Sequence, residues 1–342
     1  MLSRSDTVLK CIVEYFIKYA QPLGSKTLIE EYKLPYSSAT IRNEMYNLEK
    51  LGYIEKPHTS GGRIPSTKGY KYYCEHLRDK NVDEELKYSI QQILTKKSQS
   101  IEETIKASCE ILSHMTSLVS VFLGPDESIE KLANVQLIQV GDKTLTAIFV
   151  TDSGYVENKT FIVNSEIDPQ DMIQCVKLLN ERLIGTPVSE LVEKMEAIKP
   201  ILNDYIINND VVYQAILETF LRFTSDRLSL YGRDELFNQP EFKNDIDKLE
   251  KVFKLLHNAE ALKEIDDADN GELTINIGEV ADNPDVSIVK AKINIGTGEN
   301  SSTIALIGPR RMDYEKALAA LEYIKEALNE YFKDEDNGDK ED

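Results

Sequence analysis

At 342 residues, with 41% hydrophobic and 29% charged side chains, the chain is long enough for two to three globular domains and is neither fibrous nor broadly disordered. It has no apolar run near the roughly 18 residues that cross a bilayer and no secretory signal at its start, so we expect a cytoplasmic protein without membrane contact. Its net charge of -19 is uneven, because residues 1–80 carry +4 and the remainder -23. A basic module on an acidic body favours phosphate contact in the first 80 residues.

The first 52 residues carry the pattern of three short helices. Apolar side chains recur at helical spacing over 8–19, with Asp6 as the expected N-cap. Ser25 is expected to cap a second helix, and Ser37 a third, because short polar side chains accept hydrogen bonds from the free N–H groups of a first helical turn. Gly52 then suits the left-handed backbone that ends a helix.

A short strand, a glycine tip and a fourth helix follow. Residues 53–56 have strand character, Gly61 and Gly62 mark the tip of a loop, and Thr67 is the expected N-cap of a helix that reaches Leu77. Three helices followed by a hairpin and a returning segment are typical of a winged helix-turn-helix.

The third helix supplies the first candidates for DNA binding, since the second helix of a helix-turn-helix motif enters the major groove. Arginine pairs with guanine and asparagine with adenine, while hydroxyl groups bind phosphates or base edges. The positions that face away from the expected buried side are Ser38, Thr40, Arg42, Asn43 and Tyr46. For these residues alone, a solvated helix face is an equally good interpretation.

The loop after the strand adds cations to that helix. The two glycines, whose backbone can approach a phosphate closely, are surrounded by Lys56, His58, Arg63, Lys68 and Lys71. A hairpin tip with incidental charges is the alternative, and for His58 a solvated loop position is the favoured interpretation. Helix and wing together, in the basic part of the chain, favour double-stranded DNA as a partner.

The rest of the chain alternates helical and strand patterns. The predicted elements are helices over 81–117, a buried strand over 118–123, an antiparallel meander over 135–140, 144–150 and 155–163, helices over 169–230, strands over 273–277, 286–295 and 303–307, and a closing helix over 318–332. Strands that return after a long helical block indicate one α/β domain with another inserted into it. Residues 334–342, six of them acidic, are expected to form a disordered tail.

The spacings typical of metal sites and catalytic centres are absent from the sequence. The four cysteines form no CxxC pair and are expected to be buried packing residues, and the four histidines form no HExxH motif. These residues are Cys11, Cys74, Cys109, Cys175, His58, His76, His114 and His257. The glycine-rich segment 296–300 lacks the Lys-Ser/Thr of a phosphate-binding loop, so we expect a hairpin turn there. We predict no enzyme activity, no metal and no cofactor.

Further motifs occur in order along nearly the whole chain. They are the segments 22–28, 37–45, 48–52, 57–65, 68–70, 151–154, 156–158, 238–242, 307–309 and 311–314. Together they closely resemble the HrcA family, the heat-inducible transcription repressors of bacteria. The chain departs from the family pattern at Gly62, where alanine is common and glycine is expected to loosen the wing, and at Arg310, where threonine is expected.

The resemblance implies a multidomain α+β fold. Its parts would be an N-terminal winged helix-turn-helix domain over 1–80, a GAF-like α/β domain over 81–130 and 236–333, and an inserted α+β dimerisation domain over 131–235. The resemblance also implies repression of chaperone operons through an inverted-repeat operator, the CIRCE element, bound by a homodimer. It further implies that the GroEL chaperonin maintains this activity.

A second hypothesis is a transcription regulator that a small molecule controls through the GAF-like domain. Only analogy between folds supports it, and the sequence offers no convergent polar cluster for a ligand. A GAF-like domain that serves structure alone is therefore the favoured interpretation.

Overall fold

The protein has a mixed α/β, multidomain architecture that begins with helices. The computed structural model describes residues 2–57, 61–96, 100–124, 130–162, 169–205, 213, 216–217, 220, 228–243, 245–256, 262, 273–278, 283–295 and 301–338. His58 and the hairpin turn predicted over 296–300 lie outside the described residues. The chain divides into two compact units, and the first consists of Met1–Val121, Leu230–Ala291 and Ile304–Ala327. The second consists of Phe122–Ser229, Lys292–Thr303 and Leu328–Asp342.

Residues 1–80, here called the head, fold as helices around a two-stranded hairpin. The elements are α1 (Arg4–Tyr19), α2 (Ser25–Tyr32), α3 (Ser38–Lys50), β1 (Ile54–Glu55), β2 (Ile64–Pro65), α4 (Thr67–Tyr72) and a π-helical turn (Tyr73–Leu77). The strands are antiparallel, with Ile54 opposite Pro65. Val8, Ile12 and Ile41 are fully buried and supply the apolar core that holds the helices together.

Three helix caps differ from the predicted ones. Ser3 caps α1, and Asp6 lies three residues further on, where its carboxylate accepts from the Ser3 hydroxyl at 2.7 Å. This hydrogen bond is the main reason that the pKa of Asp6 is lowered. Gly24 replaces Ser25 as the cap of α2, and Ser66 replaces Thr67 as the cap of α4. A pattern of short polar residues leaves such neighbours indistinguishable until the backbone is known.

The predicted helical segment after the head consists of two helices and leads into a buried strand. They are α5 (Glu84–Leu94) and α6 (Ile101–Thr116), followed by β3 (Val119–Leu123). Ser100 caps α6 in a reciprocal arrangement with Glu103, which explains why the helical pattern restarts there. Cys109 is fully buried on α6, and Cys11, Cys74 and Cys175 are also buried, as predicted.

The second unit is built on the predicted antiparallel meander. Its strands are β4 (Leu132–Gly141), β5 (Thr144–Thr151) and β6 (Val156–Ile162), followed by α7 (Pro169–Leu183) and α8 (Leu191–Tyr205). One face of the sheet buries Leu145 and Phe149 in a core with Leu179. The opposite face exposes Ile138 and Ile162, because side chains alternate along each strand.

A five-stranded sheet and a long helix complete the described structure. The elements are β7 (Leu228–Tyr231), α9 (Glu235–Asn238), α10 (Pro240–Lys243), α11 (Ile246–Leu256), β8 (Leu273–Ile277), β9 (Val286–Asn294), β10 (Ser301–Pro309) and α12 (Tyr314–Gly338). The strand order is β7-β3-β10-β9-β8. Two differences from the sequence analysis appear here. The end of the predicted helical block is strand β7, and α12 extends to Gly338, into the predicted disordered tail.

Candidate nucleic-acid interface

Helix α3 is capped and anchored as the sequence predicts. The Ser37 hydroxyl accepts the Thr40 N–H at 3.1 Å, which satisfies one of the free donors of the first turn. Ile41, Met45 and Leu48 are buried on one side of the helix. Gly52 has the positive φ of 78° that follows the helix end. The spacing of the three apolar residues therefore fixes which side of α3 remains at the surface.

Polar contacts hold α3 to the elements around it. The hydroxyls of Ser38 and Ser25 lie 3.2 Å apart and join α3 to α2. Glu44 accepts from the Ser5 hydroxyl at 2.7 Å, which joins the helix to the start of α1. Glu49 accepts from Arg63, which joins it to the hairpin. The orientation of α3 is thus set by side chains as well as by the core.

The outer side of α3 is a continuous exposed stripe. We call it the α3 stripe, and its members are Ala39, Arg42, Asn43, Tyr46, Asn47 and Lys50. The side chain of Tyr46 is 65% exposed. Within the described part of the chain, no hydrogen bond or ion pair engages the side chains of Arg42, Asn43 or Lys50. These groups are free to meet a ligand.

Two polar members of the stripe were not singled out from sequence, and two predicted residues lie outside it. Asn47 and Lys50 continue the line of Asn43 by one and two turns, so extending the helical period would have found them. Ser38 and Thr40 are half-buried, and their hydroxyls bond to Ser25 and to Ser37. Their role in the described structure is to hold the start of α3.

Arg63, predicted to contact DNA, is engaged within the protein. Its guanidinium donates to Glu49 at 2.7 and 3.0 Å and to the carbonyls of Gly61 and Gly62 at 3.2 Å. Only a fifth of the side chain is exposed. Because two edges of the guanidinium have partners, Glu49 on one and the Gly61 and Gly62 carbonyls on the other, Arg63 fixes the hairpin against α3.

Two other candidate cations near the hairpin, Lys68 and Lys56, differ in whether they have a partner within the protein. The ammonium of Lys68 donates to the Leu51 carbonyl at 2.9 Å and lies 4.4 Å from the centre of the Tyr53 ring. Lys68 therefore ties α4 to the end of α3. Lys56 is exposed at the edge of the hairpin and is available to a phosphate.

Gly62, where the sequence predicts a looser wing, lies in close contact with the segment that links α1 and α2. A Cβ atom at this position would lie 2.9 Å from the Pro22 backbone carbon, so the absence of a side chain allows close packing. The neighbouring residue, Arg63, exchanges two backbone hydrogen bonds with Leu23, at 2.9 and 3.0 Å. Together these contacts fix the returning strand against the segment that links α1 and α2.

Reactive or metal-binding groups are not found at this interface in the described residues. Burial raises the pKa of Cys11 and Cys74 to about 12, so both thiols stay protonated at neutral pH. The described residues contain no cluster of three or more His, Cys, Asp or Glu side chains able to hold a metal ion. None of the described helices combines the length and apolarity that a membrane span requires.

A cleft of about 840 Å³ lies elsewhere in the first unit. Glu14 and Lys18 of α1 form one side, and Leu86, Met115 and Glu315 are among the residues that line the rest. Burial is the main reason that the pKa of Glu14 is raised. The lining carries both signs of charge together with apolar side chains.

Comparison with known proteins identifies the family. The family model for the HrcA protein C terminal domain matches residues 102–318. The chain is 34% identical over 339 residues to the heat-inducible transcription repressor HrcA of Halalkalibacterium halodurans, with 98% of each chain covered. It is 35% identical over 337 residues to the repressor of the same name from Bacillus pumilus, covering 96% of this chain and 97% of that one.

One solved structure has the same fold over its whole length. It is described as a hypothetical protein at 2.2 Å resolution, and it matches with a TM-score of 0.68 and 24% identity over 98% of this chain and 99% of that one. The family match covers more than half of the sequence, and the two repressors match it almost from end to end. The chain therefore belongs to the HrcA family of heat-inducible transcription repressors.

Proposed function

We propose that the protein represses transcription by binding an inverted-repeat operator of the CIRCE type as a homodimer, with the head as a winged helix-turn-helix. The α3 stripe is the observation that carries this proposal. Its unengaged arginine, asparagine, tyrosine and lysine side chains are the types that read base edges and phosphates in the major groove. Because operator DNA is the proposed ligand, we place the protein in the cytoplasm.

The roles of the individual residues follow from their surroundings. Arg42 and Asn43 are proposed to contact base edges, since both are exposed near the start of α3, the part that enters the groove most deeply. Tyr46 and Lys50, further along the stripe, are proposed phosphate contacts. Lys56 is the proposed phosphate contact of the wing, and His58 stays a candidate from the sequence alone.

We propose that the dimer forms through the inserted domain over 131–235, which interrupts a GAF-like domain over 81–130 and 236–333. The open face of the meander supports this part of the proposal. Ile138, Val156 and Ile162 lie on that face and are 43%, 45% and 72% exposed. A second copy of the chain would remove these apolar side chains from water, and two heads related by a twofold axis match an inverted repeat.

Sedimentation equilibrium of two single variants tests the dimer contact. Ile162→Glu places a charge on the open sheet face and should shift the protein to a monomer. The matched control is Ile173→Glu on α7, where the original side chain is 59% exposed outside the sheet face. A dimer that survives Ile162→Glu and dissociates with Ile173→Glu would move the contact to the helices.

A fluorescence titration tests operator binding. The full chain is titrated into a duplex carrying the inverted repeat and into a base-scrambled duplex, at several salt concentrations. We expect a preference of about 10³ or more for the inverted repeat, with affinity that falls steeply as salt rises. Equal, weak binding to the two duplexes would reject an operator-specific repressor.

The GroEL chaperonin is the second proposed partner, on the strength of family membership. Adding chaperonin to a parallel titration should raise the fraction of protein that is active in operator binding and leave the affinity of that fraction unchanged. An identical active fraction with and without chaperonin would remove this partner from the proposal.

A regulator controlled by a small molecule is the alternative, and the cleft in the first unit is the observation that favours it. Its volume of about 840 Å³ is in the range of small-molecule sites, and its mixed lining suits a ligand with both charged and apolar parts. Screening metabolites for a rise in melting temperature tests this alternative, because a ligand that binds only the folded state stabilises it.

A further inference from the structure

Arg311, in the turn between β10 and α12, belongs to the 311–314 motif of the family resemblance. It contacts both the 238–242 motif and the head. Its Nε donates to Glu241 of the 238–242 motif, and its Nη2 lies 3.4 Å from the second carboxylate oxygen. Its Nη1 donates to the backbone carbonyl of Ile17 at 2.7 Å. One guanidinium therefore binds an acid of α10 and the last turn of α1 together.

The position of the Ile17 carbonyl explains what this contact does. Helix α1 ends at Tyr19, so the carbonyls of its last turn lack partners within the helix. The carboxyl end of a helix also carries partial negative charge, which favours a cation there. Arg311 satisfies one of these carbonyls, and Glu241 holds the guanidinium in the orientation that this requires.

Neighbouring residues, in the same turn and at the start of α12, make further contacts with the head. Arg310 donates to the Thr67 hydroxyl at 3.2 Å, at the first residue of α4. The Tyr73 hydroxyl donates to Glu315 at 3.1 Å. The rings of Tyr70 and Tyr314 have centres 5.3 Å apart. These contacts join α1, α4 and the π-helical turn of the head to one short segment, residues 310–315, which ends in the first two residues of α12 and is here called the docking turn.

The contacts at the docking turn are directional. Ion pairs and hydrogen bonds lose their strength when donor and acceptor turn away from each other, whereas apolar contacts tolerate sliding. The forked contact of Arg311 is the most demanding, because the guanidinium is planar and meets both partners at once. A polar interface of this kind determines the angle at which two parts of a protein meet.

We propose that Arg311 is a positioning residue for operator recognition. It fixes the direction of α1, and through α1 the direction of α3, relative to the body of the first unit, and it contacts no DNA itself. In a dimer the direction of each α3 contributes to the distance and angle between the two α3 stripes, and so to the half-site spacing that the protein accepts. The inference rests on the proposed function of an operator-binding dimer.

Half-site spacing is the property that tests this role. The full-length protein and its variants are titrated into four duplexes: the native inverted repeat, a repeat with five additional base pairs between the half-sites, a single half-site and a scrambled sequence. Five base pairs rotate one half-site by about half a turn of DNA. In Arg311→Ala, the preference for native over altered spacing should fall about tenfold or more, while binding to the single half-site stays within about twofold.

Two conservative variants and a control separate positioning from a general loss of structure. Arg311→Lys keeps the charge at the end of α1 and cannot fork between both partners, so its spacing preference should be intermediate. Glu241→Gln keeps an acceptor without the charge and should also be intermediate. Lys254→Ala removes an exposed cation of α11 that pairs with Glu250, and it should leave the preference unchanged.

Each outcome has a distinct meaning. An unchanged spacing preference in Arg311→Ala overturns the inference while leaving operator binding intact. Should that variant not fold, by circular dichroism, the two conservative variants decide, and unchanged preferences in both overturn the inference. A wild-type protein that binds inverted repeat and scrambled duplex equally defeats the proposed function itself.

Discussion

The α3 stripe and the hairpin of the head are both rich in groups that suit DNA, yet they differ in availability. Arg42, Asn43 and Lys50 project from α3 without a partner among the described residues. Arg63 and Lys68 are held by Glu49 and by backbone carbonyls. A cation already bonded inside the protein must give up those bonds before it meets a phosphate. Charge in the sequence therefore predicts where the interface lies, and hydrogen bonding within the protein predicts which residues are available to form it.

The largest expected effect lies at the stripe. Replacing Arg42 by alanine should weaken operator binding by about 1–3 kcal/mol and relax selection at one base pair, because the proposed bidentate contact to a guanine would be lost. The measurement is a titration against the operator and against duplexes with single base changes. Lys80→Ala, which removes an exposed cation of the head outside the stripe and hairpin, is the matched control. Equal losses in the two variants would show that only net charge matters.

The next effect tests whether Arg63 braces the hairpin or binds DNA. Arg63→Ala and Glu49→Ala should each lower the free energy of unfolding by about 1–2 kcal/mol, since each leaves a half-buried charge without its partner. The double variant should cost less than the two single losses added together. Chemical denaturation of the three variants measures this.

Operator binding by the same variants gives the sharper distinction. Removing the acidic Glu49 beside DNA would strengthen binding if electrostatics alone acted. If Arg63 instead holds the hairpin in place through Glu49, the hairpin loses its fixed position in either variant. Glu49→Ala should then weaken operator binding, as Arg63→Ala does. Stronger binding by Glu49→Ala would return Arg63 to the list of DNA contacts.

Much of the head could be predicted from sequence, because its signals are local. Apolar spacing placed α3 and its buried side, Ser37 was identified as its cap, and the positive φ of Gly52 follows from the lack of a side chain. The meander of β4, β5 and β6 was also predicted, since alternation and short turns lie within one stretch of chain. These features depend on neighbours in sequence.

The features that sequence did not predict depend on residues far apart in the chain. Ser38 meets Ser25, Arg63 meets Glu49, and Arg311 meets Ile17, which lies 294 residues away. No periodic pattern marks such pairs. Strand β7 was missed for a related reason, because its four residues are too few to show alternation and the strand is defined by pairing with β3.

A smaller effect is expected at the far end of the stripe. Replacing Lys50 by alanine should cost about 1 kcal/mol near physiological salt and lower the slope of log affinity against log salt by about 1, because one phosphate contact is lost. The loss should be the same for every duplex sequence, unlike that of Arg42→Ala. A loss confined to the operator would instead place Lys50 at a base edge.

The smallest effect concerns Ser38, which the sequence suggested as a DNA contact and the structure pairs with Ser25. Ser38→Ala and Ser25→Ala should each lower the free energy of unfolding by about 0.5–1 kcal/mol, the usual contribution of one hydrogen bond between neutral groups. Both should leave the ratio of operator to scrambled affinity unchanged, since neither hydroxyl is needed at the DNA surface. Thermal unfolding and the duplex titration measure the two quantities. A drop in that ratio for Ser38→Ala alone would mean that the Ser38 hydroxyl leaves Ser25 on binding and contacts the operator. Ser38 would then belong to the residues of α3 that are available to DNA.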